Sequence, residues 1–161
     1  MHNMDFKFFR GFKKIYTEHH PIGNQPVILQ NPYEPMRQNR YLVQFPEEYQ
    51  IQPWMVKSTS RPTVRRTNVG LMEWDDIEFK FYDPIGPSIQ RSLNDLLHGE
   101  YGINNRIDVK IQMLGPVGDV VSEWIVNGLI SEINFGNLSY DSNEMTEVTF
   151  TMSVNNAMLN F

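Results

Sequence analysis

Alternation of apolar and polar side chains at every second residue is the strongest constraint on this chain. Val148, Phe150, Met152 and Val154 alternate with Glu147, Thr149, Thr151 and Ser153. Successive strand side chains point to opposite faces, so such a segment buries one face and leaves the other wet. The same period recurs at Tyr41, Val43 and Phe45, at Ile77, Phe79 and Phe81, and at Ile107, Val109, Ile111 and Met113. Residues 54–60 (WMVKSTS) read as a weaker strand. The chain is therefore expected to be mainly β.

One segment follows a different period. Ile85, Ile89, Leu93, Leu96 and Leu97 fall on one face at helical spacing. Asp83-Pro84 and Gly86-Pro87-Ser88 are start signals and Gly99 is a stop signal, which predicts one helix flanking the sheet or covering its open end. Gly115-Pro116-Val117-Gly118 predicts a turn after the Ile107 strand. Asn127-Gly128 predicts a hairpin between Val126 and Leu129, because both residues tolerate positive φ. Gly136 and Asn137 open a further turn region, with Leu138 and Tyr140 as an apolar edge. The segment 61–70 (RPTVRRTNVG) reads as a long basic loop or ribbon.

Residues 1–38 differ from the rest. Phe6, Phe8, Phe9, Phe12 and Tyr16 lie among Lys7, Arg10, Lys13 and Lys14, and Pro21, Pro26, Pro32 and Pro35 follow. Proline removes amide donors and fixes φ, so long regular elements are disfavoured there. The expectation is an extended N-terminal arm over 1–38 and a β domain over 39–161. Phe8, Phe9, Phe12 and Tyr16 are the expected anchors by which the arm docks on a neighbour.

The 161 residues suit one domain, and the absence of cysteine excludes disulfides, thiolate metal sites and a cysteine nucleophile. No run of about 18 apolar residues predicts a membrane span, and the N-terminus lacks the apolar core of a secretory signal. The net charge of −5 is uneven, with +5 over residues 1–70 and −10 over 71–161. Opposite potentials on two surfaces suit head-to-tail association, provided the two halves do not interleave in space.

Parts for catalysis are missing. There is no glycine-rich phosphate loop, HExxH or GxSxG. His19-His20 would point to opposite faces of a strand, His98 sits where it answers a helix dipole, and Asp75-Asp76 and Glu47-Glu48 read as solvated pairs. The expectation is no enzyme, no cofactor and no metal. A module binding nucleic acid through the basic arm and Arg61, Arg65 and Arg66 is the competing reading, but the acidic remainder would repel a duplex. Trp54, Trp74 and Trp124 are expected in the core or at a seam. Trp74 is out of phase with Ile77, so it marks either a bulge or a contact with a partner.

The C-terminal third carries a family resemblance. Gly118, Asp119, Val120, Val121, Trp124, Gly128, Leu138, Tyr140 and Asp141 fall in an order similar to that of the tail tube proteins of contractile-tailed phages. The likeness extends to the haemolysin-coregulated protein of type VI secretion and covers residues 39–161. It implies an antiparallel β-barrel or sandwich with a single flanking helix. Six copies would join sheets edge to edge in a ring, and rings would stack around a lumen through which viral DNA passes without specific binding. The implied partners are other copies of the chain and the sheath and baseplate proteins. The implied location is the virion tail, assembled in the host cytoplasm, and a tube-like baseplate or neck protein is the alternative. Arg61, Arg65 and Arg66 fall where the family carries its inter-ring loop. Glu147, Thr149, Thr151 and Ser153 are expected to face the lumen. The last strand, over 146–154, holds no proline or lysine to blunt it as an edge.

Overall fold

The alternating segments are strands in the computed structural model of the chain, which describes residues 35–98 and 106–161. Six of them form one sheet: β1 (Tyr41–Gln44), β2 (Val56–Thr59), β5 (Ile77–Tyr82), β6 (Ile107–Leu114), β7 (Val120–Asn134) and β8 (Glu147–Asn160). The other two, β3 (Val64–Arg66) and β4 (Met72–Trp74), pair with each other as a separate ribbon. The sheet order is β1-β6-β7-β8-β5-β2 with antiparallel neighbours throughout. Single 3₁₀ turns at Glu47–Tyr49 and Pro53–Met55 join β1 to β2.

Two long strands organise the sheet. β6 pairs with the first part of β7, from Leu114↔Val120 to Ile107↔Gly128. β5 pairs with the first part of β8, from Tyr82↔Glu147 to Ile77↔Met152. β7 and β8 run through both halves, and the register between them shifts at Asn127/Gly128 and at Ile130/Glu132. A bulge bends a strand and raises its twist. Ser131 is the extra residue at the second shift, so Ile130 and Ile133 both stay inward, opposite Met152 and Phe150. The sheet curls until its outer strands meet: the Tyr41 hydroxyl donates to the Lys57 carbonyl at 2.8 Å. The result is a nearly closed barrel.

The barrel interior is packed. Phe79, Phe81 and Phe150 are fully buried, and Phe45 meets Phe79 edge-on with centroids 5.4 Å apart. Burying one such side chain contributes roughly 1.5–3 kcal/mol. α1 (Ile89–His98) buries Ile89, Leu93 and Leu96 and lies beside the Glu47–Tyr49 turn.

Four expectations need correction. Asn127-Gly128 makes no hairpin, since β7 runs straight through it. A Cβ on Gly128 would stand 2.4 Å from the Ser153 carbonyl oxygen and 2.8 Å from Met152 Cγ. Glycine is needed there for close approach of β8, not for a turn. The last strand is not an edge strand, because residues 149–152 pair on both sides. The unblunted edge lies further on: beyond Met152 no described strand pairs with β8 on its β5 side. Ile85 is fully exposed and precedes the helix. Pro87 disfavours helical backbone at Gly86, so the helix cannot begin before it, and the Asp83 carboxylate accepts from Ser88 and Gln90 to anchor the start. Of the two readings of Trp74 it is the bulge that fails, since the residue ends β4, outside β5, and meets Trp124 edge-on at 6.4 Å.

Candidate assembly surfaces

The basic segment forms a closed ribbon. Val64 faces Trp74 and Arg66 faces Met72 in register, and the Asp75 amide donates to the Thr63 carbonyl at 2.9 Å. Arg65 Nε donates to Asp75 Oδ1 at 2.8 Å, which clamps the base of the ribbon. The tip is tied internally: the Thr67 amide bonds the Leu71 carbonyl at 2.8 Å and the Gly70 amide bonds the Thr67 carbonyl at 2.9 Å. Gly70 takes φ +83°, a conformation open to few side chains. The three arginines expected to act together are therefore distinct. Arg65 is held by its own chain, Arg66 is exposed near the tip, and Arg61 lines the cleft between β1 and β2.

That cleft holds about 600 Å³ and is lined by Gln38, Tyr41, Ser58, Thr59 and Met113 among others. The Tyr41 hydroxyl crosses it. Burial raises the Tyr41 pKa above its ordinary value, and the nearby Tyr82 adds to the shift.

Glu147, Thr149, Thr151 and Ser153 share the outer face of β8, opposite the buried Val148, Phe150, Met152 and Val154. The register sets Tyr82 beside Glu147, Lys80 and Asn134 beside Thr149, and Glu78 and Glu132 beside Thr151. Lys57 pairs with Glu147, and Lys80 lies 3.4 Å from Glu78. Glu132 makes no ion pair among the described residues, so this patch is close to neutral with one carboxylate left over. Further along, the outer face turns apolar, with Met158 opposite Ile125.

The residues that carry the family resemblance hold structural positions. Gly118 takes φ +85° in the β6–β7 turn, and the Gly115 amide bonds the Asp119 carbonyl at 2.8 Å. The Asp119 carboxylate lies against Gly115, where a Cβ would come within 2.4 Å of it. Leu138 and Tyr140 are almost wholly exposed. His98 ends the helix and is exposed, as are Glu47, Glu48 and Asp76. The described residues include no group of three or more histidine, aspartate or glutamate side chains placed to hold a metal ion. Phe8, Phe9, Phe12, Tyr16 and His19-His20 lie outside the described residues.

Sequence reasoning marked Leu138 and Tyr140 as an apolar edge but missed the rest of the exposed apolar loop surface. Val69, Leu71 and Met72 at the ribbon tip are exposed, as are Phe135 and Met145 beside Leu138 and Tyr140. The available signal was large apolar side chains inside segments already marked as turns by glycine and asparagine.

Neither a family model nor a curated protein matches the chain. Solved structures do. A chain of the sheath-tube complex of the PVC extracellular contractile injection system, in the extended state, aligns with TM-score 0.58 at 15% identity, covering 80% of this chain and 93% of that one. A chain of the anti-feeding prophage tube terminating cap aligns with TM-score 0.56 at 14% identity, covering 87% and 98%. A chain of the anti-feeding prophage baseplate aligns with TM-score 0.54 at 15% identity, covering 78% and 95%. At such identities the likeness is one of fold, shared with chains from the sheath-tube, cap and baseplate assemblies of contractile injection systems.

Proposed function

We propose that the chain is a structural subunit of a contractile tail tube. Copies form rings, six to a ring by analogy with the symmetry applied to the baseplate relative. Rings stack around a lumen through which DNA travels, and the tube works with sheath and baseplate proteins in the virion tail. The observation that carries this reading is the fold likeness over nearly the full length of chains taken from sheath-tube, cap and baseplate assemblies. Physical chemistry supports it. Among the described residues no strand hydrogen-bonds to the uncharged stretch of β8 beyond Met152 on its β5 side, where β4 only lies nearby, and solitary proteins ordinarily blunt such edges.

A specialised tube-like protein, one ring at the baseplate or cap, is the second reading, favoured by the cap and baseplate relatives. Negative-stain microscopy of the purified chain over a range of concentrations separates the two. Tubes of indefinite length are expected for the main subunit, and single rings for a terminator. Monomers at every concentration and salt would exclude both.

A further inference from the structure

Two exposed loops leave opposite ends of the β5–β8 pair. The ribbon enters β5 at Ile77, opposite Met152, and residues 135–146 enter β8 at Glu147, opposite Tyr82. With six residues in β5, those ends are about 17 Å apart. Both loops expose large apolar side chains. Val69 is 81%, Leu71 65% and Met72 73% exposed on the ribbon, against Leu138 89%, Tyr140 110% and Met145 72% on the other loop. Their charges are opposite. Residues 61–72 hold three arginines and no acid, and residues 135–146 hold Asp141 and Glu144 and no base. Arg65 is engaged by Asp75, but Arg66, Asp141 and Glu144 make no ion pair among the described residues.

Both loops also arrive shaped. The ribbon tip is tied as described above. On the other loop, the Gly136 amide bonds Asn134 Oδ1 at 2.9 Å, and the Asp83 amide bonds the Thr146 carbonyl at 3.2 Å. Preformed loops lose less conformational freedom on docking. Surfaces complementary in charge, both apolar, and at opposite ends of one strand pair cannot meet within a chain. Copies placed head to tail bring them together, and such a heterologous contact propagates.

We propose that the ribbon tip of one copy docks on residues 135–146 of the next copy along the tube axis. Leu71 and Met72 pack against Leu138 and Tyr140, with Arg66 facing Asp141 or Glu144. This rests on the stacked-ring reading and adds the surface that receives the ribbon.

Leu71→Asp sets an acid against the acidic loop, and Leu138→Arg sets a base against the basic ribbon. Both positions are exposed, so folding should survive, which circular dichroism checks. Each variant alone should give rings and lose stacking. Mixing the two purified variants should join rings two by two, because the intact ribbon of the Leu138→Arg ring meets the intact loop of the Leu71→Asp ring. Wild-type stacking by Leu138→Arg alone, or a mixture that stays as single rings, overturns the proposal while leaving the tube reading in place. A wild-type chain that never stacks overturns this contact, and one that never forms rings overturns the tube reading as well.

Discussion

Gly128 shows how one missing Cβ shapes the barrel. β8 passes so close that a methyl group there would overlap the Ser153 carbonyl oxygen. The obstacle is backbone, which cannot swing aside as a side chain can. Gly128→Ala should therefore lower stability by about 1–3 kcal/mol, the usual cost of overpacking a tight site. A urea midpoint unchanged from wild type would disprove the close approach. Tyr41 is a second pressure point, because its hydroxyl links the two outer strands. Tyr41→Phe should cost about 0.5–1.5 kcal/mol at neutral pH, the net worth of one hydrogen bond. The pH dependence follows from its raised pKa. The unfolded chain ionises Tyr41 near the ordinary value of 10.0 and the folded chain only above it. The folded state then holds more protons, so stability falls as pH rises past that value. Urea titrations at neutral pH and at about pH 11 should show a shallower alkaline loss in Tyr41→Phe than in wild type; equal slopes would refute the assignment.

Among elements, the ribbon separates two arginines that look equivalent in the sequence. Arg65 clamps the ribbon base through Asp75, and Arg66 makes no such contact. Arg65→Glu should loosen the ribbon and cost at most about 1 kcal/mol, as exposed pairs do. Arg66→Glu should leave the ribbon intact and act only on stacking. Amide exchange across residues 63–75 of unstacked protein distinguishes them, and equal protection in both variants would refute the division of roles. Strand positions were legible wherever one face is buried, since burial imposes the period of two that Ile77, Phe79 and Phe81 display. The helix was legible for the same reason, except at Ile85, where Pro87 overrides spacing. Partners were not legible. Asn127-Gly128 is a strong local turn signal, but Gly128 answers a neighbouring strand about 25 residues away. The position of β8 inside the sheet depends on β5 and β7 together, and no local pattern records it. Arg65 and Arg66 point to opposite faces of β3, and which of them finds a partner depends on Asp75 returning across the ribbon.

At the scale of the molecule, the charge halves of the sequence partly interleave. Lys57 from the basic half reaches Glu147 from the acidic half across β2, β5 and β8. The outer face around Thr149 and Thr151 is consequently near neutral, with its lysines engaged by Glu147 and Glu78 and with Glu132 left over. We hypothesise that this face lines the lumen. A wall whose cations are already paired offers few contacts to phosphate and releases few counterions from DNA, so DNA slides without sticking. The competing view makes the face ordinary exterior. Glu147 is a poor place for the test, because its replacement would also free Lys57. Thr149→Lys with Thr151→Lys leaves that pair alone, and both side chains are only partly exposed at a polar surface. If six copies ring the lumen, the double variant adds a band of cations to the channel wall. Tubes should still form, since the core face of β8 is untouched, but DNA release from assembled particles should slow or stall, most strongly at low salt. Intact tubes that deliver DNA at the wild-type rate across the salt range would place this face outside the channel.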